Sequence, residues 1–378
     1  MSDDILILGG GVIGLSLAYE LAGRGLAVRV LDRGEPGKEA SWAGAGILPP
    51  CGQLDTDPLA QLTRLSTTLH RQWSAELRDQ IGIDNGYRPC GGLYVARSAE
   101  DAANLESEFA EFQAVELASQ WLQRGDLPSV EPLLADACPP VLAAIRLPDE
   151  AQIRNPWHLK ALIAACAARG VNIEAGAAVT SIAVRGGMIR HVETALGPRQ
   201  AARYILAGGA WTAAWTAPLG LNLPVYPVRG QMALLATTGR TLSHIINQGK
   251  QYLVPRADGR ILVGSTEDDA GFDKRNTAEG VASLLALAQG LAPALGEATL
   301  EKCCAALRPF TPDGLPYIGP VPEVENALLA TGHFRSGLTL STGTARVLAQ
   351  LLCDEPLDVP LAAFAPARAG TPPQAARA

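Results

Sequence analysis

The chain has 378 residues with 48% hydrophobic and only 18% charged side chains, the proportions of a well-packed globule of two domains or one elaborated domain. A net charge of −7 argues against nucleic acid or an anionic membrane as a partner. Seven cysteines without a C-x-x-C pair and five dispersed histidines indicate neither a metal site nor a disulfide framework.

The start, Met1 to Asp4, lacks the basic region of a secretory signal. The most apolar later stretch, 281–295, is interrupted by Gln289, Gly290 and Pro293 and is too short to span a bilayer. A cytoplasmic protein without a membrane span is expected. Residues 5–8 read as a buried parallel strand. Gly9, Gly11 and Gly14 follow in G-x-G-x-x-G spacing and open an apolar helix from Val12 to Leu21, which Gly25 stops. A second strand, 27–31, ends at Asp32. In such a unit the first glycine permits the tight turn, the second admits a pyrophosphate to the backbone, and the third lets helix and strand pack closely. The helix N-terminus offers N–H groups to phosphate, and the carboxylate at Asp32 suits the ribose hydroxyls. The unit serves FAD or NAD alike.

Residues 40–50 are small and apolar, too glycine-rich for a helix, and suit a backbone lying against a flat ring. Helices are predicted over 59–77, 99–112 and 157–169, a strand over 91–96, and a proline-rich connection over 128–140. Short strands over 171–174, 178–184, 188–193 and 204–207 alternate with glycine turns, the last leading past Trp211 into a helix to Leu219. From 224 to 301 the pattern becomes antiparallel, with strands over 226–235, 251–255 and 259–264 and a helix over 279–291. A final helix is predicted from Thr339 to Leu352. Arg308, flanked by Leu307 and Pro309 in a stretch without further charge until Asp313, suits a carboxylate anchor because its planar guanidinium binds such an anion bidentately. Tyr252 can add a phenolic hydrogen bond to the same anion. Arg335 lies in a glycine-flanked turn before the last helix, whose N-terminus would favour negative charge.

Taken in order, GGGVIG at 9–14, SWAGAGIL at 41–48, VRGQM at 228–232, YLVPR at 252–256, LVGST at 262–266, LRPFTPDGLPYIGP at 307–320 and GHFRSG at 332–337 resemble the D-amino-acid oxidase superfamily of flavoproteins, and within it the glycine oxidase branch of thiamine pathways. The resemblance implies an α/β fold: a Rossmann-like FAD-binding domain with a parallel sheet (1–85, 141–220 and 302–364), a discontinuous substrate domain on a mostly antiparallel sheet (86–140 and 221–301), and a flexible tail (365–378). It implies non-covalent FAD against Val12, Ile13, Asp32, Arg33, Ala40, Ser41, Ala45, Gly46, Ile47 and Val179, and against His333, Phe334, Arg335, Ser336, Gly337, Leu338 and Thr339. A small amino acid would lie between Tyr252, Arg308 and Arg335. The implied activity is oxidation of glycine, sarcosine and small D-amino acids by O2, giving an imine and H2O2. A homo-oligomer, a tetramer, and a hand-off to thiazole synthase are implied as well. Ala306 stands where close relatives are expected to have glycine. Rival readings are a quinone-linked D-amino-acid dehydrogenase, a sarcosine oxidase, whose flavin-bearing cysteine would align with Ala306, and a flavin sensor or carrier.

Overall fold

The computed structural model describes residues 3–239 and 241–370. Alternation along the first strand, Asp3–Leu8, sets the two faces of the central sheet. Ile5 and Ile7 face a helical layer containing Leu15, Leu162 and Val347, whereas Leu6 and Leu8 face Tyr204, Leu206 and the hairpin residues Ile182 and Val192. All four are essentially without solvent contact, as a parallel strand covered on both sides requires. The sheet runs in the order Tyr317–Pro320, Ala327–Thr331, Ala201–Leu206, Asp3–Leu8, Val28–Leu31 and Asn172–Glu174. Its pairs are parallel except the first, which is antiparallel. Helices Val12–Gly23, Pro58–Ile81, Asn155–Ala168 and Gly337–Leu352 supply the helical layer.

The second large sheet has eight strands, in the order Thr299–Phe310, Tyr226–Ala236, Arg260–Gly264, Gln251–Pro255, Ile245–Gln248, Gly92–Ala96, Ala143–Leu147 and Gln120–Gln123. It is antiparallel except where Ile245–Gln248 meets Gly92–Ala96. The period of two again divides its faces. Leu93, Ala233, Ile246, Leu253 and Val263 pack beneath helix Ala278–Leu291, while Tyr94, Met232, Asn247 and Tyr252 turn the other way.

The α/β class with one parallel and one mostly antiparallel sheet is as expected. Sheet membership nevertheless moves two expected boundaries. Ala143–Leu147 pairs with Gly92–Ala96, and Thr299–Phe310 pairs with Tyr226–Ala236, so both strands belong to the antiparallel sheet rather than to the segments beginning at 141 and 302. The helix expected up to Leu219 is instead two 3-10 turns, Gly209–Trp215 and Ala217–Leu219. Pro218 between two left-handed glycines leaves a run too short to sustain an α-helical nucleus. Part of the predicted tail is packed: Pro366–Gly370 forms a 3-10 turn in which Arg368 pairs with Asp313 at 2.7 Å and covers the ring of Tyr317. Residues 371–378 of that tail lie outside the described residues.

Candidate active site

A long cleft of about 410 Å³ lies where the C-terminal ends of the parallel strands meet the free face of the antiparallel sheet. Gly9, Asp32, Ala207 and Thr331, each at the end of a parallel strand, line one side, where open α/β sheets hold their ligands. Every predicted cofactor residue lines this cleft except Gly14. A Cβ at Gly14 would lie 1.9 Å from the carbonyl oxygen of Gly9, so its part is to let the helix close on the turn.

The strand-turn-helix end is built from backbone. Gly9 has φ +117°, and a Cβ there would lie 2.4 Å from the Ala207 carbonyl oxygen. Helix Val12–Gly23 begins at Gly11 with no side-chain cap, while the Val12 N–H donates to Ser41 Oγ at 2.9 Å. The Asp32 carboxylate accepts from the N–H groups of Gly10 and Gly34, both at 2.9 Å, which fixes it at the strand end. Arg33 stacks on Trp211 at 3.6 Å, at the same end of the cleft. The small-residue segment then passes along the wall. Gly46 has φ +76°, and a Cβ there would lie 1.8 Å from the Ile153 carbonyl oxygen. Asn155 Nδ2 donates to the Ser41 carbonyl at 2.8 Å, and Arg256 donates to the Ala45 carbonyl at 2.7 Å and to Gln152 Oε1 at 2.7 Å. Burial without a carboxylate partner lowers the pKa of Arg256 to about 10. Backbone donors at an uncapped helix start, a carboxylate at the ribose position and a wall without bulky side chains fit a flavin dinucleotide.

The other end is a row of side chains across the antiparallel sheet. Tyr94, Asn247, Tyr252, Gly264 and Met232 are successive register partners on neighbouring strands and therefore share one face. Tyr252 is buried, and its hydroxyl lies 3.6 Å from Met232 Sδ. Two glycines create space here: a Cβ at Gly264 would lie 2.5 Å from the Tyr252 ring, and one at Gly230 would lie 2.1 Å from Arg308 Nη2. Arg308 donates to Ser265 Oγ at 2.7 Å and to the Thr266 carbonyl at 3.1 Å, both neutral. Among the described residues it forms no ion pair, and burial lowers its pKa. Ala306 lines the same wall opposite Gly230.

Arg335 occupies the turn Phe334–Ser336 before helix Gly337–Leu352, but its guanidinium is engaged. It pairs with Glu267 at 2.6 Å and donates to the Lys250 carbonyl at 2.7 Å. His333 is buried against Thr344 Oγ1 at 3.1 Å, and burial lowers its pKa to about 3, so it is neutral. Sequence reasoning left out Tyr94, Asn247, Gly230 and Gly264, because their part comes from cross-strand register. Arg256 carried a signal, a lone charge closing an otherwise apolar strand.

The family model described as "FAD dependent oxidoreductase" (DAO) matches residues 4–351. The chain is 36% identical over 371 residues to a glycine oxidase of Pseudomonas putida, with 97% of this chain and 99% of that one covered. It is 35% identical over 375 residues to the bifunctional protein ThiO/ThiG of a Synechocystis species; 97% of this chain is covered, and it spans 54% of that protein. The solved structure of a glycine oxidase from Geobacillus kaustophilus superposes with a TM-score of 0.91 at 32% identity, covering 96% of this chain and 98% of that one.

Proposed function

The chain belongs to the DAO family of FAD-dependent oxidoreductases, and from that premise we propose that it oxidises glycine, with sarcosine and small D-amino acids as secondary substrates. The observation that carries this reading is Arg308, a guanidinium on the cleft wall held by neutral acceptors and without an anionic partner among the described residues. A cation so placed favours a ligand carboxylate, and Tyr252 beside it offers one further donor.

FAD, held by the glycine turn and the 40–47 and 333–339 segments, would supply the two-electron redox chemistry, as hydride acceptor toward an α-amino acid and as electron donor toward O2. The chain's contribution is placement. Arg308 and Tyr252 bind the carboxylate, and two contacts on one end of so small a substrate fix the direction of its Cα–H bond. Arg335 closes the cleft mouth through Glu267 and the Lys250 carbonyl, tying the start of the last helix to the antiparallel sheet. The neutral, buried His333 is unsuited to act as a base. The dinucleotide residues would be those predicted, from Gly9, Gly11 and Asp32 through Ala40–Ile47 and Val179 to the 333–339 turn. Binding is non-covalent in this reading, and Ala306 in place of a cysteine is its support.

Delivery of the imine to a thiazole synthase, in a homo-oligomer in the cytoplasm, completes the proposal. The two-part ThiO/ThiG relative supports the first element. No described helix is long and apolar enough to cross a membrane.

The test is anaerobic mixing of the yellow protein with glycine, sarcosine, D-alanine, D-proline and a carboxylate-free amine while flavin absorbance is followed. Oxygen is then admitted. Bleaching by glycine with rapid return of colour and H2O2 is expected. Bleaching that oxygen reverses only slowly would favour a quinone acceptor, and no bleaching by any amino acid would sink the reading.

A further inference from the structure

The row that carries Tyr252 ends on a buried acid that the carboxylate anchor does not use. Glu150 has no solvent exposure, and its carboxyl group lies against Gly92, where a Cβ would come within 2.5 Å of it. Its partners are neutral: Tyr94 Oη donates to Oε2 at 2.9 Å, and Asn247 Nδ2 donates to Oε1 at 3.1 Å. Among the described residues no cation pairs with it. Glu150 itself is outside the cleft lining, whereas Tyr94 and Asn247 are both in it. One Nδ2 hydrogen is committed to Glu150, and Oδ1, a pure acceptor with no side-chain partner among the described residues, is left to serve the cleft. Asn247 is the direct register partner of Tyr252, so this acceptor stands one strand away from the phenol proposed to bind the carboxylate.

The row therefore has polarity. Arg308 and Tyr252 present a cation and a donor at one end. Asn247, backed by Glu150, presents an acceptor and a buried carboxyl at the other. An α-amino acid has the complementary polarity, carboxylate to amine, over a span of a few ångströms.

We propose that Glu150 is a positioning residue that turns the Asn247 carbonyl into the cleft, where it accepts an N–H of the substrate's amino group. The inference rests on the proposed amino-acid oxidation and extends it to the amine end. Substrates must then keep at least one N–H, so primary and secondary amines are taken and N,N-dialkyl amino acids are refused. The arrangement holds with the carboxyl ionised or protonated on Oε2, because Oε1 accepts from Nδ2 in both states.

The test compares glycine with acetate, which has the carboxylate and no amine, on the FAD-loaded protein. KM for glycine comes from turnover, and Kd for acetate from the change it causes in flavin absorbance. In Asn247→Leu and in Glu150→Leu, KM for glycine should rise at least about ten-fold, the scale of one hydrogen bond to a charged group, while acetate Kd moves less than about two-fold. Glu150→Gln keeps an oxygen opposite Asn247 Nδ2 and should retain most of the glycine affinity. In the two leucine variants, parallel losses on glycine and acetate would show that Glu150 only supports packing and would overturn the proposal, as would no loss on either. If the wild-type protein binds acetate but does not oxidise glycine, the amino-acid reading fails, and the amine contact falls with it.

Discussion

At the scale of single residues, three arginines in or beside one cleft have different surroundings, and these separate their tasks. Arg335 is neutralised by Glu267, Arg256 is spent on carbonyl oxygens of the cofactor loop, and Arg308 lines the cleft with neutral acceptors and, among the described residues, no carboxylate partner. Removing Arg308 should strand the substrate anion, a loss of roughly 2–5 kcal/mol on the scale of buried charge pairs. Arg308→Ala is expected to retain FAD and fold normally, with kcat/KM on glycine reduced by about 10²-fold or more. A matched amine without a carboxylate should lose far less. Arg308→Lys keeps the charge but not the planar fork, so it should also lose orientation. Equal losses on both substrates would make Arg308 a structural residue. Arg308 stood out in the sequence by its uncharged setting and Tyr252 through the family resemblance, and both line the cleft. Asn247 and Glu150 were not, because nothing near either residue in the chain marks it; their meaning comes from a strand pairing and a turn about a hundred residues apart.

At the scale of elements, the glycine-rich unit and its terminal Asp32 could be read directly, since strand, turn and helix are consecutive in the chain. The segment 40–50 was recognisable as backbone for close approach, but what holds it lies elsewhere, in Ile153, Asn155 and Arg256. Gly46 shows how little tolerance that contact has. Its left-handed φ already disfavours a side chain, and the Ile153 carbonyl oxygen occupies the space a methyl would need. Gly46→Ala must therefore displace the loop, at about 1–3 kcal/mol for overpacking with a similar cost in backbone strain. FAD should dissociate at least about ten-fold more readily, by titration of the apoprotein with FAD and fluorescence detection. Asp32→Ala should differ in kind: its activity returns at saturating FAD, because the lost contact is remote from the reacting ring. Activity that stays low with the site full would refute that placement. The helix expected up to Leu219 and the segment boundary expected at 302 share a cause, since neither proline-limited turns nor sheet membership is fixed by local periodicity.

At the scale of the whole molecule, the balance of buried titratable groups sets the response to acid. Burial lowers the pKa of His70 to about 4 and those of His158 and His333 to about 3, whereas it raises Glu150 to about 7. An unfolded histidine titrates near 6.5, so from there down to about 4 the unfolded chain binds more protons and stability falls with pH, by up to about 1.4 kcal/mol per pH unit for each histidine. Glu150 acts in the opposite sense, gaining its proton in the folded state as pH falls from about 7. Three histidines against two carboxyls, Glu150 and the half-buried Glu108, decide the sign. The melting temperature should drop steeply between pH 6.5 and pH 4.5, and His158→Gln should flatten the curve; a profile flat in wild type would contradict the burial of these rings. The strand order has a separate consequence for synthesis on the ribosome. The first strand, Asp3–Leu8, pairs with Ala201–Leu206, and the cleft it opens is closed by residues as late as Thr339. The glycine turn made first in the chain therefore waits for Ala207 behind it and for the 333–339 turn across the cleft before it has a chamber in which to retain a flavin. Retention of the cofactor then needs nearly the whole chain, and a protein ending before residue 333 is expected to leave gel filtration without flavin absorbance.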